Sequence, residues 1–166
     1  YRPLSLNQGP LMYTARRTAE LIKYAANAFL ATKITFINEI ADLSEKVGAD
    51  VQEVARGIGL DNRIGSKFLH AGPGFGGSCF PKDTRALVQT AHDHDVSLRI
   101  VEAVLGVNDN RKRAMARKVS NALGGNLRGK TVAVLGLTFK PNTDDMREAP
   151  SIPLVTGLLD MGAKVR

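Results

Sequence analysis

The one cysteine of this 166-residue chain, Cys79, lies in a glycine-rich segment just before a predicted helix. That segment reads GPGFGGSCFPKD over residues 72–83. Glycine lets a backbone approach a bulky ligand closely, and Pro81 suits the first position of a helix. A thiol at a helix N-terminus faces unpaired N–H groups and the positive end of the helix dipole, which favours the nucleophilic thiolate form.

Two interpretations of Cys79 are open. It is a catalytic nucleophile, or it is a small buried apolar side chain in a tight turn, as free cysteines often are. The glycines, together with Lys82 and Asp83, favour the nucleophile. Asp83 comes about one helical turn later and is suited to orient or deprotonate a water molecule. Alternatively, its carboxylate stabilises the helix start through the dipole, and both roles can coexist.

A second candidate pair lies far from Cys79 in the sequence. Lys23 and Asn27 are four residues apart on a predicted helix, so they share one face. On a mostly apolar stretch, a lysine and an amide can donate hydrogen bonds to an oxyanion that develops during a reaction. The residues alone favour a simpler interpretation, which is an extended surface lysine beside a surface asparagine.

These side chains need a scaffold, and most of it is predicted to be helical. Residues 14–47 contain no glycine or proline and place apolar residues at steps of three and four, which predicts one helix about 50 Å long. That length exceeds the width of a small domain, so we expect the helix to pack against a neighbour or a second subunit. Gly48 ends it, and Asp50 with Glu53 forms a possible capping box for a short helix that ends by Gly57.

The remaining pattern changes from helical to mixed at Gly129. Before it, helices are predicted over residues 84–91 and 98–123. After it come a strand over 131–135, a helix over 151–161 and a strand that begins at 164, which is the start of a βαβ unit. Only Gly136 follows the first strand, whereas a dinucleotide fingerprint needs three glycines, so no complete NAD site is predicted.

Composition excludes several classes of function. The net charge of +7 favours anionic partners, but the densest basic stretch, residues 111–118, has no interleaved aromatics and is predicted to be a solvated helix face rather than a nucleic-acid site. No apolar run approaches about 20 residues, so we expect no membrane span. His92 and His94 do not share a helix face, so we expect no metal site. A single cysteine fits a reducing cytoplasm.

The run GFGGSCFPKD resembles the active-site segment of the UDP-glucose/GDP-mannose dehydrogenase family. Its Phe80-Pro81-Lys82 is most similar to the bacterial UDP-glucose 6-dehydrogenases. Three further segments, residues 24–42, 62–68 and 134–147, also resemble family segments, in the same order. Four ordered motifs make a much stronger resemblance than any one of them alone.

The resemblance implies a fold and a division of the chain. Residues 1–12 would be the tail of an N-terminal NAD-binding domain, and residues 13–128 a mainly α-helical central domain that forms a homodimer through its long helix. Residues 129–166 would open a C-terminal α/β, Rossmann-like domain that binds the nucleotide sugar. The chain is thus expected to be a piece of a longer enzyme and to be inactive by itself.

The resemblance also implies a reaction, the oxidation of UDP-glucose to UDP-glucuronate with NAD in the cytoplasm. The thiolate of Cys79 captures an aldehyde as a thiohemiacetal, which is oxidised to a thioester and then hydrolysed. GDP-mannose or another nucleotide sugar is the alternative substrate. A non-catalytic helical assembly module is the rival from another class, and a nucleic-acid-binding protein is a more distant one.

Site residues follow from the same resemblance. Lys23 and Asn27 would lie beside the reacting carbon, with Cys79 and Asp83 completing the catalytic set. Lys82 and Arg147 would meet NAD, and Arg63 would reach the substrate across the subunit interface. The remaining substrate-binding residues would be Phe68, Leu69, His70, Ala71, Gly72, Gly76 and Lys140.

Overall fold

The computed structural model describes residues 11–166, and this part of the chain is mainly helical. Its order is five helices with two short strands near the end. The bounds are α1 Arg16–Val47, α2 Val51–Gly59, α3 Phe80–His92, α4 Arg99–Ala122, β1 Thr131–Val132, α5 Ser151–Asp160 and β2 Lys164–Val165.

The long predicted helix is confirmed as α1, with 32 residues and no break. It ends at Gly48, whose φ of 74° lies in the left-handed region that glycine adopts without strain. Asp50 caps α2, because its side chain accepts a hydrogen bond from the backbone N–H of Gln52 at 2.7 Å. The second helix runs to Gly59 rather than ending by Gly57.

Two small cores hold the elements together. The first lies between α1, α4 and the cysteine loop, which we define as residues 72–78, and is centred on Ala31, Phe75 and Val104. The second joins α4 to the segment after it through Ala116, Leu127, Leu158 and Ala163. Both cores therefore meet on α4, and the helical part and the C-terminal part pack against the same helix.

The strands form a parallel pair, in which Thr131 faces Lys164 and Val132 faces Val165. Helix α5 connects them, as the predicted βαβ pattern requires. The first strand is shorter than predicted, since regular pairing ends at Val132, although Val134 still donates to the carbonyl of Arg166 at 2.8 Å.

The prediction that the basic stretch is solvated is wrong for two of its residues, although Arg113 and Arg117 are exposed as expected. Arg111 and Lys112 are 9% and 7% exposed, so this face of α4 is packed rather than solvated. The guanidinium of Arg111 lies 2.8 Å from a carboxylate oxygen of Asp42 on α1, and Lys112 lies 3.2 Å from Asp109. Carboxylates compensate the buried charges, and Asp42 is distant in the sequence, so the local pattern could not reveal the burial.

Residues 1–10 lie outside the described part, and so does most of the predicted N-terminal tail, residues 1–12. Among the described residues, no helix has the length and apolar character to cross a membrane.

Candidate active site

Cys79 lies directly before α3, at the N-cap position, as the sequence predicted, although its side chain makes no capping hydrogen bond. The helix begins at Phe80, so Pro81 is its second residue rather than its first. The backbone N–H of Asp83 donates to the carbonyl of Cys79 at 2.8 Å, which places the two residues one turn apart. Cys79 is exposed, and the interpretation of it as a buried apolar residue is wrong.

The thiol borders a cavity of about 650 Å³ between α1, the cysteine loop and the segment after β1. Five of the predicted site residues line it, namely Phe68, His70, Gly76, Cys79 and Lys140. Among the described residues, none of those lining this cavity is acidic. An exposed thiol thus faces a space walled by aromatic rings and lysines, which suits an anionic ligand with a flat or apolar part.

The sequence analysis did not predict the other residues that line the cavity, which are Ile34, Lys67, Gly74, Phe75, Phe80 and Phe139. Lys67 directly precedes Phe68, and Phe139 directly precedes Lys140, so both are neighbours of predicted residues. The ring of Phe80 meets those of Phe68 and Phe75 with centroids 6.1 and 5.9 Å away. An aromatic spacing of this kind depends on tertiary packing, and no motif in the sequence signals it.

The structure joins four other predicted residues into a chain of polar contacts. The ammonium of Lys23 donates to the amide oxygen of Asn27 at 3.0 Å. The amide nitrogen of Asn27 donates to one carboxylate oxygen of Asp83 at 2.6 Å. The ammonium of Lys82 donates to the other oxygen at 2.5 Å. None of the four is among the residues that line the cavity.

Asp83 is the centre of this chain and is 4% exposed. Burial by itself raises its pKa, but the hydrogen bonds from Lys82 and Asn27 and the charges of Lys82 and Lys23 outweigh that effect. The net result is a lowered pKa, so Asp83 is a carboxylate at neutral pH. The same contacts raise the pKa of Lys82, chiefly through its hydrogen bond to Asp83.

Other predicted residues stand apart from the cavity. Leu69 is buried in the protein interior at 3% exposure, and Ala71 and Gly72 are not among the lining residues. The side chain of Arg63 is 90% exposed and pairs with Asp61 at 2.6 Å. It faces solvent in a single chain.

Arg147 lies on the other side of the cysteine loop. Its side chain is 70% exposed and binds the carboxylate of Asp145 at 2.8 and 2.9 Å. Those hydrogen bonds lower the pKa of Asp145 to about 2. The backbone carbonyl of Arg147 accepts a hydrogen bond from the N–H of Gly77 at 2.7 Å, so this segment is tied to the cysteine loop.

The cysteine loop can pack this closely only because of two glycines. A Cβ on Gly76 would lie 2.2 Å from the carbonyl oxygen of Glu148, and one on Gly77 would lie 2.7 Å from the ring of Phe139. Arg85 on α3 forms a two-pronged ion pair with the Glu148 carboxylate. Cys79 is thereby held between the helical part and the segment after β1.

Comparison with known proteins follows the same division. Residues 17–110 match the model of the UDP-glucose/GDP-mannose dehydrogenase family, central domain, and residues 133–166 match that of its UDP binding domain. The chain belongs to the UDP-glucose/GDP-mannose dehydrogenase family. The match to the second model begins directly after β1 and covers α5 and β2.

Individual relatives agree with this assignment. The chain is 74% identical to the UDP-glucose 6-dehydrogenase of Rhizobium meliloti (strain 1021) over 99% of its own length and 38% of that protein. It is 55% identical to UDP-glucose 6-dehydrogenase YwqF of Bacillus subtilis (strain 168), over its full length and 37% of that protein.

A solved structure gives the same result for the fold. The UDP-glucose dehydrogenase of the hyperthermophilic archaeon Pyrobaculum islandicum superposes with a TM-score of 0.89 at 46% identity, over 94% of this chain and 36% of that one. The chain thus spans little more than a third of the length of the relatives it matches.

Proposed function

We propose that this chain is part of an NAD-dependent UDP-glucose 6-dehydrogenase that oxidises UDP-glucose to UDP-glucuronate. The observation that carries the proposal is an exposed cysteine at the start of α3, open to a cavity with lysines and aromatic rings. Residues 13–128 act as the central domain, and residues 129–166 open the α/β, Rossmann-like domain that binds the nucleotide. The relatives named UDP-glucose 6-dehydrogenase support this choice over GDP-mannose.

The cavity accounts for binding of the substrate. Lys140 and Lys67 supply positive charge for the diphosphate, and Phe68, Phe80 and Phe139 supply apolar surface. His70 and Gly76 line the same space. Arg63 can reach the substrate of a second subunit, because its side chain is 90% exposed and its partner among the described residues is Asp61, two positions earlier.

The thiol of Cys79 divides a difficult oxidation into easier steps. When bound, NAD accepts a hydride in each of the two oxidations. After the alcohol becomes an aldehyde, the thiolate adds to the carbonyl carbon and forms a thiohemiacetal. Loss of the second hydride leaves a thioester on Cys79, and attack by water breaks the carbon–sulfur bond, giving a carboxylate and the free thiolate.

The contact chain from Lys23 to Lys82 supplies the polar groups for these steps. Lys23 and Asn27 stabilise oxyanions that develop at the reacting carbon, and Asp83 orients the attacking water. In the free chain these groups satisfy one another, with Asn27 between Lys23 and Asp83. Substrate binding would therefore exchange the contact between Lys23 and Asn27 for contacts with the sugar.

Two exposed cations near the cysteine loop, Lys82 and Arg147, suit a phosphate group of the cofactor. The side chains of Lys82 and Arg147 are 68% and 70% exposed, so their charges are open to a dinucleotide phosphate. Among the described residues only Gly136 follows β1, so no strand is followed there by the three-glycine fingerprint that would cradle the pyrophosphate. We propose that Lys82 and Arg147 supplement a cofactor site formed by other parts of the enzyme. We also propose that the enzyme works in the cytoplasm.

The decisive experiment replaces Cys79 with serine in the full-length enzyme. The first oxidation needs no thiol and should survive at least partly, whereas an ester at residue 79 hydrolyses far more slowly than a thioester. We expect a covalent nucleotide-sugar adduct in the intact mass, with at most about two NADH formed per active site. Ser120→Ala, on α4 and away from the cysteine loop, is the control and should turn over continuously.

Two outcomes would contradict the proposal. Steady production of the acid by the Cys79→Ser enzyme at a near-normal rate would show that Cys79 is not the nucleophile. Preference of the unmodified enzyme for GDP-mannose or another nucleotide sugar over UDP-glucose would leave the cysteine chemistry intact but change the substrate. A panel of nucleotide sugars assayed by NADH formation distinguishes these results.

A further inference from the structure

The cysteine loop has no regular secondary structure, yet side chains satisfy its backbone groups. The N–H of Gly72 donates to the amide oxygen of Asn38 at 2.8 Å, and Arg111 donates to the Gly72 carbonyl. Asn108 binds Phe75 twice. It accepts from the Phe75 N–H at 2.8 Å and donates to the Phe75 carbonyl at 3.1 Å.

These partners are buried polar side chains in the middle of long helices. Asn38 on α1 is 1% exposed, and Asn108 on α4 is 3% exposed. Buried amides contribute little to stability unless both their donors and acceptors are paired. Both hydrogen bonds recorded for the Asn108 side chain go to the backbone of one loop residue, as those of a neighbouring strand would. It thus fixes the position of the loop more than it adds to the core.

A displacement of Phe75 would be transmitted to Cys79 by two routes. Along the chain, only Gly76, Gly77 and Ser78 separate them, and both glycines are wedged against the segment after β1. Through space, the ring of Phe75 meets that of Phe80, the residue after Cys79, edge-on at 5.9 Å. Phe75 is itself seated in the core with Ala31 and Val104. A shift of Phe75 therefore moves both sides of the cysteine.

Gly74 shows that α4 and the loop are in close contact at this point. A Cβ there would lie 2.9 Å from the amide oxygen of Asn108 and 2.9 Å from the Cγ atom of Lys112, and its φ of 116° favours glycine. The loop thus rests directly on the surface of α4 beside Asn108.

We propose that Asn108 is a positioning residue for the reaction, because its amide locks the backbone of Phe75 and thereby sets where the thiol of Cys79 lies in the cavity. This inference rests on the proposed function, in which that thiol must meet a nascent aldehyde. Helix α4 contributes no lining residue to the cavity. The proposal nevertheless gives this helix a role in the capture of the aldehyde.

The test uses two variants of the full-length enzyme, Asn108→Leu and Asn108→Asp. The first removes both hydrogen bonds at similar volume, and the second keeps the acceptor for the Phe75 N–H. We expect kcat to fall about 10²-fold for Asn108→Leu and less for Asn108→Asp, with little change in KM, because misplacement by about 1 Å costs that much in rate.

A second readout separates positioning from general damage. If the thiol is misplaced, the aldehyde escapes before capture, so the NADH formed per sugar consumed falls from about two toward about one. The control, Ser120→Ala, alters another buried polar residue of α4 that is away from the cysteine loop. It should keep the parent ratio even if it lowers the denaturation midpoint.

The rate at which iodoacetamide alkylates Cys79, followed by peptide mass, tests the geometry without any substrate. We expect slower alkylation in Asn108→Leu, because the thiol loses its place at the helix N-terminus. Unchanged alkylation together with an unchanged NADH ratio would overturn the positioning role. If the parent enzyme oxidised no nucleotide sugar but alkylation still slowed in the variant, the proposed function would fail while the positioning role stood.

Discussion

At the scale of single residues, Asp83 is the most constrained group of the site. It is nearly inaccessible, and its two oxygens are held by different partners, Asn27 at 2.6 Å and Lys82 at 2.5 Å. A carboxylate in this setting is ionised because its partners compensate for burial, so it contributes to stability as well as to the proposed chemistry.

The lowered pKa of Asp83 predicts how stability depends on pH. The unfolded chain takes up this proton near pH 4, the ordinary value for aspartate, whereas the folded chain does so at lower pH. The stabilisation is therefore complete above about pH 4 and is lost as the pH falls through the folded pKa. Asp83→Asn should flatten the fall in unfolding free energy below about pH 4, measured by urea denaturation.

Two further variants complete that experiment. Lys82→Met removes the larger of the two hydrogen-bond contributions and should flatten the profile partly. Lys67→Met makes the same change of charge at a lysine outside this chain of contacts and should leave the profile as it is. An unflattened profile in both Asp83→Asn and Lys82→Met would refute the assignment.

Sequence alone reached much of the site but not its internal connections. Cys79 at a helix start and the pair of Lys23 with Asn27 are local features, visible in the spacing. The hydrogen bond from Asn27 to Asp83 joins residues 56 positions apart, and only packing of α1 on α3 creates it. The burial of Arg111 could not be predicted from the sequence for the same reason, because its partner Asp42 lies on another helix.

At the scale of elements, the helix ends that a local cap sets were predictable, whereas the end of α2 and the strand lengths were not. Gly48 and Asp50 act within a few residues of themselves, so the sequence specifies them locally. A strand needs neighbours, and β1 pairs regularly with β2 for two residues only. The apolar run over 131–135 therefore predicts a longer strand than the structure contains.

Gly76 provides the sharpest test of how the elements fit together. Its absent Cβ would meet the Glu148 carbonyl oxygen at 2.2 Å and the Ala149 Cα at 3.0 Å, and both are backbone atoms that cannot turn aside. Gly76→Ala should therefore lower the free energy of unfolding by about 1–3 kcal/mol, as overpacking does. Thermal and urea denaturation measure this.

Gly106 on α4 offers the matched control for that substitution. Nothing lies within 4 Å of a Cβ built there, and the residue is in the middle of a helix. Gly106→Ala should raise the free energy of unfolding by up to about 1 kcal/mol, because alanine is the better helix former. Equal effects of the two alanine substitutions would show that the close contact at Gly76 is not rigid.

At the scale of the whole molecule, α1 has an apolar face without a partner among the described residues. Ile22, Phe29, Phe36 and Leu43 recur every seven residues and are 47–66% exposed. The opposite side of the helix packs against α3 and α4. A stripe with this period suits a second helix of the same kind, which supports the proposed homodimer.

We predict that the full-length enzyme sediments as a dimer at micromolar concentration, with more than about 1,200 Å² buried. The double variant Phe29→Glu/Phe36→Glu should sediment as a monomer, because it would bury four carboxylates in the dimer. Leu60→Glu, at an 84% exposed residue off the stripe, should stay dimeric. A parent enzyme that sediments cleanly as a monomer would reject the homodimer.

The close packing of Gly76 and Gly77 against Glu148 and Phe139 also limits which segments of this chain can be exchanged with those of its relatives. The two family models leave residues 111–132 between them, and an exchange of parts between relatives would naturally be made there. Phe139 and Lys140 nevertheless form one wall of the cavity that holds Cys79. A chimera joined at that point would place the thiol of Cys79 against a cavity wall from another protein, so we expect the cysteine loop and the segment after β1 to work together only when both come from one parent.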